Sequence, residues 1–373
     1  MQIAFDAKRI VANGTGLGSY GRTLINALAV ERPTDQFLLY APDSGRDDLR
    51  CQIVERPNLS FVYPQKHPFP GYKSYWRSKG IVKQLRRDEI GLFHGLSGEL
   101  PIGLKAAGIK GVVTIHDLIF LRHPEYYHWI DTKIYARKFH QTLREADRII
   151  AISECTKRDI LYYGDFPEDK IDVIYQSCGQ RFAEKAGEAQ QQQVKEKYHL
   201  PDRYILFVGT IEARKNALLA VKALQQLPEE LSLVIVGRPT PYLKSIKNYI
   251  QQHRLEQRTC FLHGVPNEDL PSVYQQAEAF VYPSRYEGFG IPIIEAIQSG
   301  LPVVAATGSC LEEAGGPDCL YVHPDDVEGM AKAVLTAIDE RSERVSKSRE
   351  YVRRFENQDV AQQVWEVYEK VKK

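Results

Sequence analysis

Short apolar runs of strand length alternate with amphipathic stretches of helical periodicity along most of the chain. In the first half the predicted strands are Ile3–Phe5, Gln36–Tyr40, Ser60–Tyr63, Gly91–His94, Val112–Ile115, Arg148–Ile152 and Asp172–Tyr175. In the second half they are Tyr204–Gly209, Leu231–Gly237, Thr259–His263, Ala279–Pro283 and Pro302–Ala305. Strands that alternate with helices are typical of parallel sheets with helical crossover connections. The pattern therefore predicts an α/β protein with two doubly wound, Rossmann-like domains, whose ligands bind beyond the carboxyl ends of the strands.

The predicted helices between the strands are Gly18–Ala29, Tyr127–Glu145, Ala217–Leu227, Leu243–His253, Asp269–Ala277, Ile293–Ser299 and Val327–Ile338. The polar segment Gln180–Asp202 interrupts the alternation and is interpreted as a partly helical linker. We therefore predict an N-terminal domain over residues 1–178 and a C-terminal domain over residues 179–354. Phe355 and four valines at helical spacing predict one amphipathic helix in Tyr351–Lys373, and residues 355–373 could pack back on the N-terminal domain.

Composition narrows the class of protein without identifying it. The chain has 373 residues and a net charge of +1, so two cores are feasible and no general attraction to nucleic acid is implied. The six cysteines form no CxxC pair, which fits a reducing cytoplasm better than a disulfide framework or a zinc site. No apolar run is long enough to cross a bilayer, and the first residues do not resemble a signal peptide. We expect a cytoplasmic protein.

The segment Tyr282–Gly300, YPSRYEGFGIPIIEAIQSG, carries the strongest functional signal. A predicted strand leads into a turn that contains Gly288 and Gly290, and a helix follows. The start of a helix offers free amides and partial positive charge, which suit an anion or a set of hydroxyls. Glu287 in the turn and Glu295 in the early helix could face one ligand there, because carboxylates accept strong hydrogen bonds from sugar hydroxyls. The alternative is an ordinary strand–turn–helix with solvated acids.

A second signal, FVGTIEARKN, follows the first predicted strand of the second domain. Gly209 allows close approach of the backbone, and Arg214 and Lys215 enter the loop before the next helix. Cations are disfavoured at a helix N-terminus unless an anion lies nearby. A planar guanidinium beside a compact ammonium suits a diphosphate, so this pair is a candidate diphosphate site.

Two weaker signals lie in the first domain. GTGLGSYGRTL opens a helix after the first strand, and we interpret Gly16 and Gly18 as a flexible lip that lets backbone amides approach a donor phosphate or hexose. The acidic residue that a dinucleotide-binding fingerprint requires is missing from the next strand. In VVTIHDLIF, His116 could bind substrate or shuttle protons, and Asp117 beside it is a candidate for acceptor binding. A purely structural histidine is the alternative.

These motifs resemble the glycosyltransferases of family 4, also called group 1, over nearly the whole chain. The most specific part is the E-x7-E element of Glu287 and Glu295 within EGFGIPIIEA. The resemblance implies the GT-B fold, in which two Rossmann-like domains face a central cleft. The stretch TIHDLIFLRHPEYY further resembles bacterial polysaccharide mannosyltransferases.

The resemblance also implies roles for individual residues. Glu287 and His116 are the catalytic candidates, beside the transferred hexose, and Glu295 would contact the ribose hydroxyls. Arg214 and Lys215 would hold the diphosphate, while the backbone amides of residues 288–290 face the hexose. The full set of donor-binding candidates is Gly16, Gly18, Arg214, Lys215, Val265, Gly288, Phe289, Gly290 and Glu295, with Val265 in the loop that meets the base.

The predicted activity is a retaining transfer of a hexose from GDP-mannose or a UDP-sugar to an acceptor hydroxyl, in bacterial polysaccharide or glycolipid synthesis. The N-terminal domain would bind a saccharide or lipid-linked saccharide acceptor. Retention could proceed on the front face, with the leaving diphosphate taking the acceptor proton, or through Glu287 as a covalent nucleophile. No metal or other cofactor is expected, because Asp47–Asp48 and Asp325–Asp326 lie away from the motifs. A nucleotide-sugar epimerase and a non-catalytic nucleotide-sugar binding protein remain alternatives.

A basic stretch between Pro64 and Arg87 contains no acidic residue. If the part from Tyr72 is helical, Lys79, Lys83, Arg86 and Arg87 share one side with Trp76 among them. Such a surface could rest on the anionic inner face of the cell membrane or receive a lipid-diphosphate acceptor. The alternative is a core-packed helix with a solvated basic face.

Overall fold

The computed structural model describes residues 1–64, 70–176, 178–356 and 359–372. The chain divides into two compact units, one formed by Met1–Gln176 with Asp359–Lys373 and the other by Ser177–Gln358. Each unit has its own parallel sheet, with seven strands in the first and six in the second. The predicted α/β class with two doubly wound domains is confirmed.

The first unit alternates strands and helices from its start. Its strands are β1 (Gln2–Asp6), β2 (Gln36–Tyr40), β3 (Leu59–Val62), β4 (Leu92–Gly95), β5 (Lys110–Ile115), β6 (Arg148–Ala151) and β7 (Ile171–Val173). Its α-helices up to residue 163 are α1 (Lys8–Ala12), α2 (Gly16–Glu31), α3 (Asp47–Arg50), α4 (Tyr72–Tyr75), α5 (Ile81–Arg87), α6 (Ile119–Arg122), α7 (Trp129–Glu145) and α8 (Glu154–Tyr163). A π-helical turn, Trp76–Gly80, connects α4 to α5.

The seven strands follow the order β3-β2-β1-β4-β5-β6-β7. The order reverses between β1 and β4, which pair in parallel with Phe5 opposite His94. The interior positions of the strands carry mainly apolar side chains, because helices cover both sides of a doubly wound sheet. The carboxyl ends of β1, β4 and β5 therefore meet at one edge of the sheet, where a ligand crevice forms in such folds.

The second unit repeats this plan with six strands. These are β8 (Tyr204–Val208), β9 (Ser232–Val236), β10 (Thr259–Leu262), β11 (Ala279–Tyr282), β12 (Val303–Ala306) and β13 (Leu320–Val322). The helices are α9 (Glu188–Tyr198), α10 (Ala217–Ala223), α11 (Leu243–Gln252), α12 (Leu270–Gln275), α13 (Ile291–Gln298), α14 (Leu311–Gly315), α15 (Val327–Asp339) and α16 (Arg341–Glu356). The order β10-β9-β8-β11-β12-β13 reverses between β8 and β11.

The last helix, α17 (Val360–Lys372), belongs to the first unit. Its apolar face joins the core on one side of the first sheet, where Tyr368 is fully buried beside Phe5. The single helix predicted over Tyr351–Lys373 is wrong. Phe355 belongs to α16 of the second unit and packs edge-on against Phe289, whereas the valines belong to α17. The apolar spacing happens to run through both helices, so periodicity alone could not separate them.

Two further differences concern single elements. β13 was missed because its three half-buried residues, LYV, are too few to form a strand pattern. The segment from Tyr72 to Arg87 is helical, which meets the condition set for the basic face, but Trp76 does not lie on that face. Its side chain is buried in the core of the first unit together with Leu85, since the π-helical turn changes the angular spacing of the residues. Among the described residues, no helix has the length and apolar character needed to cross a membrane.

Candidate active site

The two strongest motifs meet at the point where the strand order of the second sheet reverses. β8 and β11 are neighbours there, and both run in the same direction. The loop after β8 carries Arg214 and Lys215, and the turn after β11 carries Glu287. A backbone hydrogen bond of 2.9 Å from the Arg285 amide to the Arg214 carbonyl joins the two segments. Parallel topology thus brings together residues that are about 70 positions apart in sequence.

Glu287 is the centre of this cluster. Its carboxylate lies 2.6 Å from Lys215 Nζ and 3.1 Å from Arg214. It also accepts hydrogen bonds from the hydroxyls of Ser284 and Tyr282. Lys215 in turn donates to the Tyr282 hydroxyl at 2.7 Å, so a second contact fixes its ammonium. A buried carboxylate with two cationic partners and two hydroxyl donors is fully satisfied.

The charges of this cluster stay ionised although the groups are buried. Burial alone would raise the pKa of Glu287, but Lys215 and Arg214 outweigh it and lower that pKa to about 2. Burial alone would lower the pKa of Arg214. The carboxylates of Glu287 and Glu212 outweigh burial, so the pKa of Arg214 is raised. Glu212 receives a hydrogen bond of 2.7 Å from Arg214. The Glu287 carboxylate therefore stays ionised near neutral pH, with Arg214 and Lys215 as its ion-pair partners.

Backbone contacts hold the two loops in position. Arg214 donates to the Tyr286 carbonyl, and the buried side chain of Asn216 donates to the carbonyls of Pro283 and Pro324 at 3.1 and 2.7 Å. Asn216 has a left-handed backbone (φ 57°), a conformation that asparagine tolerates better than most residues. The sequence alone assigns Asn216 no such bridging role, although its position directly after the basic pair was an available signal of it.

The turn between Glu287 and α13 is shaped by its glycines. Gly290 has φ 125° and precedes the first residue of α13, where Ala314 Cβ would lie 3.1 Å from an added Cβ. Gly288 is half-buried. Phe289 is buried, so its side chain is structural, and any donor contact there comes from its backbone. The buried thiol of Cys310 donates to the carbonyl of Phe289 at 2.8 Å and helps to hold the turn.

Glu295 lies in α13, one helical turn beyond the start of the helix, and is half-buried. Burial raises the pKa of Glu295 to about 6, although the Tyr274 hydroxyl donates to it at 2.9 Å and partly opposes the shift. The hydrogen-bond donor to Glu295, Tyr274, is not among the groups that contact Glu287. The two acids of the E-x7-E element therefore have separate environments, one strongly ionised and one that titrates near neutral pH.

Val265 follows β10, the edge strand of the second sheet, and is half-buried. Gly264 before it has a positive φ of 66° and open space around its Cα. The candidate metal pairs are both engaged in other contacts: Asp48 pairs with Arg46, and Asp326 caps the start of α15. Among the described residues, no group of three or more histidine, cysteine or acidic side chains could hold a metal ion.

Gly16 and Gly18 lie in the first unit, in the first turn of α2. Their backbone is helical, so the prediction that these glycines form a flexible loop is wrong. An added Cβ at Gly18 would lie 1.8 Å from the Asn13 carbonyl oxygen, whereas one at Gly16 would meet nothing within 4 Å. Gly18 is required for packing against the preceding turn of chain. At Gly16 the space beside the helix start is open.

His116 and Asp117 follow β5 at the carboxyl edge of the first sheet. His116 Nε2 lies 2.9 Å from the Leu96 carbonyl, its Nδ1 lies 3.0 Å from the Gln176 side-chain amide, and Tyr20 packs edge-on against its ring. Burial lowers the pKa of His116 to about 4, so the ring is neutral near pH 7. Asp117 accepts a hydrogen bond of 3.2 Å from the Ile119 amide.

A cavity of about 280 Å³ opens beside these two residues. Aromatic side chains from Phe120, Tyr127 and Tyr135 line it, with Glu99 and Lys138 as charged groups. Aromatic walls with a few charged groups are typical of small-ligand sites. Sequence reasoning missed these lining residues because they come from separate elements.

A buried chain of polar groups supports the His116 region and was also missed. His94 bonds to the Tyr368 hydroxyl of α17 at 2.6 Å and to Thr114 of β5 at 2.9 Å. Thr114 is in turn 3.2 Å from the hydroxyl of Tyr20, which contacts His116. Burial lowers the pKa of His94 to about 3, so this link is neutral. The last helix is thereby connected to the candidate site.

Two family models match the chain. The model described as glycosyltransferase family 4 matches residues 15–177, and the model described as glycosyl transferases group 1 matches residues 189–355. The matched segments lie in the first and the second unit respectively.

Relatives of known activity match over different lengths. An O-antigen chain mannosyltransferase B from Escherichia coli is 29% identical over 356 residues, which cover 92% of each chain. An O-antigen chain mannosyltransferase RfbU from Salmonella typhimurium is 29% identical over 254 residues, or 68% of this chain and 67% of the relative.

Solved structures support the fold. Sucrose-phosphate synthase from Thermosynechococcus elongatus superimposes with a TM-score of 0.78 at 20% identity, covering 100% of this chain and 99% of that one. Anabaena HepE in complex with UDP and glucose gives a TM-score of 0.76 at 19% identity, covering 99% and 100%. The expected GT-B fold is confirmed.

Proposed function

Because the chain belongs to the family 4, group 1 glycosyltransferases, we propose that it moves a hexose from a nucleotide-diphosphate sugar to an acceptor hydroxyl with retention of configuration. The product would be a bacterial polysaccharide or glycolipid. The observation that carries the proposal is the cluster of Glu287 with Arg214 and Lys215 at the strand-order reversal of the second sheet. GDP-mannose is the first donor to test, since both relatives described above are mannosyltransferases; a UDP-sugar is the second.

The donor diphosphate would bind to Arg214 and Lys215. Both cations are held by several contacts, so little ordering would be needed when the phosphates arrive. The amides of residues 288–290 and the start of α13 would add partial positive charge near the hexose. Glu295, farther along α13, is available for the ribose hydroxyls.

We propose the front-face mechanism for this site. The bond between the anomeric carbon and the phosphate oxygen breaks, the acceptor oxygen bonds to that carbon on the same face, and the acceptor proton passes to the leaving phosphate. Arg214 and Lys215 would stabilise the charge that grows on the leaving group. A covalent role for Glu287 is less favourable, because a carboxylate with a pKa of about 2 and two cationic partners is a weak nucleophile.

The fixed cations also support a reaction that needs no divalent metal. A leaving diphosphate requires positive charge, and a guanidinium, an ammonium and a helix start together supply it as preorganised charge. No other cofactor is proposed.

The acceptor would bind in the first unit, in the cavity beside His116 and Asp117. The aromatic walls suit the apolar faces of a saccharide, and Asp117 and Glu99 could accept hydrogen bonds from its hydroxyls. His116, neutral near pH 7, would contact the reacting sugars. The acceptor is proposed to be a saccharide or a lipid-linked saccharide.

We further propose a cytoplasmic location with peripheral contact at the inner face of the membrane. Lys79, Lys83, Arg86 and Arg87 are all exposed along one helical segment of the first unit. Each basic residue near an anionic surface contributes about 1 kcal/mol of attraction. Of the other basic residues of the stretch, Lys73 pairs with Asp43, Arg77 pairs with Asp6 and Glu99, and Lys66 lies outside the described residues.

The proposal is tested by a donor screen followed by product analysis. GDP-, UDP- and ADP-sugars are ranked by the thermal stabilisation of the protein, since a ligand that binds the folded state raises its unfolding temperature. The best donor is then incubated with saccharide acceptors, and NMR gives the anomeric configuration of the product. An isomerised sugar without acceptor would identify an epimerase instead. Donor binding without any transfer or isomerisation would favour a non-catalytic binding protein.

A further inference from the structure

One face of α7 exposes three large apolar side chains. Trp129 is 63% exposed, Ile130 45% and Ile134 46%, although side chains of this size are usually buried. The opposite face of the same helix is anchored, because Phe139 and Leu143 are buried in the core. The helix is therefore firmly part of the unit, while its first two turns present apolar surface outward.

Basic residues lie between these apolar side chains. At 100° per residue, Trp129, Ile130, Lys133, Ile134 and Arg137 fall within one arc of α7, which we call the α7 face. Lys133 Nζ lies 4.8 Å from the centre of the Trp129 ring. Asp131 lies outside the arc. The α7 face thus combines apolar groups with positive charge and has no acid within it.

The surroundings of the α7 face add further apolar and basic groups, together with Asp6 and Glu99, which both pair with Arg77. Ile102, which is 41% exposed, lines a cavity of about 300 Å³ together with Ile134 and Arg137. A second cavity is lined by Gly103 together with Lys83 and Arg86 of α5. The consecutive residues Ile102 and Gly103 thus line one cavity beside the α7 face and one beside the basic side of α5.

We propose that the α7 face lies in the interface of an anionic lipid bilayer. Trp129, Ile130 and Ile134 enter the boundary between headgroups and acyl chains, and Lys133 and Arg137 extend to lipid phosphates. Helices with aromatic and branched apolar residues beside lysine and arginine bind bilayer interfaces in this way. A second copy of the chain fits poorly, because a symmetric contact would bring Lys133 and Arg137 against the same cations.

The α7 face would be a second membrane contact beside the one proposed for α5, and both rest on the proposal that the partner is anionic lipid. The α7 contact would also affect how the acceptor reaches its cavity. Tyr135 and Lys138 of α7 line the cavity beside His116, so binding of the α7 face would hold that cavity near the lipid surface. A lipid-linked acceptor could then reach the cavity with its lipid still in the bilayer.

Trp129 gives a direct spectroscopic test with the unmodified chain. The other two tryptophans, Trp76 and Trp365, are 2% and 6% exposed, so a change in tryptophan emission on adding lipid reports on Trp129. Vesicles of phosphatidylcholine and phosphatidylglycerol in equal parts should shift the emission to the blue. Lipids brominated on the acyl chain should quench it. Trp129→Phe should lose both signals and still bind vesicles.

The second test compares matched variants by vesicle flotation. Trp129→Ser with Ile130→Ser and Ile134→Ser should lower vesicle partitioning about tenfold or more. Leu335→Ser, which removes an exposed apolar side chain of the second unit, should leave partitioning unchanged. With the triple variant, KM for a lipid-linked acceptor should rise, while transfer to a short soluble acceptor stays as in the parent. Thermal unfolding checks that the variants remain folded.

Three results would overturn the inference. The parent could bind anionic vesicles without any change in Trp129 emission, or the triple variant could bind as well as the parent. The parent could also form dimers in light scattering that the triple variant does not form, which would assign the face to a second copy. Failure of the transferase proposal is separate, because it would appear as no transfer to either acceptor with vesicle binding intact.

Discussion

Glu287 keeps its negative charge in a buried position because two cations and two hydroxyls surround it. Removing this carboxylate would take the paired acid from Lys215 and leave Arg214 with Glu212 alone, which is costly in the free enzyme. A bound diphosphate could replace the lost charge. Loss of Glu287 is therefore expected to affect catalysis and diphosphate binding in different directions.

We predict that Glu287→Ala lowers turnover about 10²-fold or more, as expected for a group that serves the transition state. Binding of the free nucleoside diphosphate should be as tight as in the parent or tighter, as measured by calorimetry. Glu287→Gln retains the shape of the side chain without its charge and should behave like the alanine variant. Turnover near that of the parent in either variant would remove Glu287 from the catalytic site.

For Glu295 the prediction concerns binding and its dependence on pH. Glu295→Ala should weaken donor binding more than it slows the chemical step, because a ribose contact acts alike in ground and transition states. Burial raises the pKa of Glu295 to about 6, so the carboxylate becomes protonated as the pH falls through 6 and donor affinity should fall with it. Glu295→Gln should show weak, pH-independent binding. An unchanged dissociation constant in Glu295→Ala would contradict the assignment.

His116 gives a third prediction at this scale. His116→Ala should reduce turnover about 10²-fold while the fold stays intact, because a side chain beside the reacting sugars contributes to the transition state. Burial lowers the pKa of His116 to about 4, so titration of this ring should not appear in the activity profile between pH 6 and pH 8. Steady-state kinetics across that range checks both statements. Parent-like turnover would mean that His116 only supports the loop.

The sequence indicated which residues form the candidate site, but it did not indicate their contacts or their burial. Glycine-framed turns and a basic pair after a strand are local patterns, so they can be read from neighbouring residues. The contacts of Glu287 with Lys215 and of His94 with Tyr368 join positions far apart in the chain. Spacing cannot show such contacts. The cations beside Glu287 lower its pKa, whereas burial raises the pKa of Glu295.

At the scale of elements, two glycines at the start of α2 differ in their surroundings: Gly18 packs against the preceding backbone, whereas Gly16 faces open space. Gly18→Ala would place a methyl group against the carbonyl oxygens of Asn13 and Arg9, and neither can move without shifting the backbone. We predict destabilisation of ~1–3 kcal/mol from this overpacking, visible as a lower denaturant midpoint. Gly16→Ala is the matched control and should keep or slightly raise stability, since alanine favours helix and its methyl group meets open space.

The same pair also tests the donor contact proposed for this helix start. If Gly16 faces the donor, the methyl group of Gly16→Ala should weaken donor binding without lowering stability. Equal donor affinity in Gly16→Ala and the parent would show that the helix start does not touch the donor. Equal stability of Gly18→Ala and the parent would contradict the packing argument.

Element boundaries were predicted correctly where the hydrophobic periodicity was regular and the residues that end the element were clear. The strand predicted at Gln36–Tyr40 was found with the same bounds. Prediction failed where elements were short or where the helix type changed. β13 has three residues, and the π-helical turn moved Trp76 from the predicted basic face into the core. An argument from hydrophobic periodicity assumes one regular helix geometry, so it cannot show a change from α-helix to a π-helical turn.

At the scale of the whole molecule, the chain crosses from the second unit back to the first before it ends. α16 belongs to the second unit and α17 completes the core of the first, where Trp365 and Tyr368 are buried. Apolar periodicity indicated a terminal helix but not this division. The distinction matters for the candidate site, because Tyr368 of α17 bonds to His94, and His94 bonds to Thr114 beside the His116 region.

The last prediction concerns the intact enzyme and its need for metal. Arg214, Lys215 and the start of α13 supply fixed positive charge for a leaving diphosphate, so activity should persist in excess EDTA. Arg214→Ala or Lys215→Ala should each cost ~3 kcal/mol of barrier, or about 10²-fold in turnover. Lys215→Arg should restore only part of it, because a planar guanidinium cannot place its charge where Lys215 Nζ bonds to Glu287 and Tyr282. Activity that is lost in EDTA and restored by Mg²⁺ or Mn²⁺ would show that a metal ion, rather than these side chains, stabilises the leaving group.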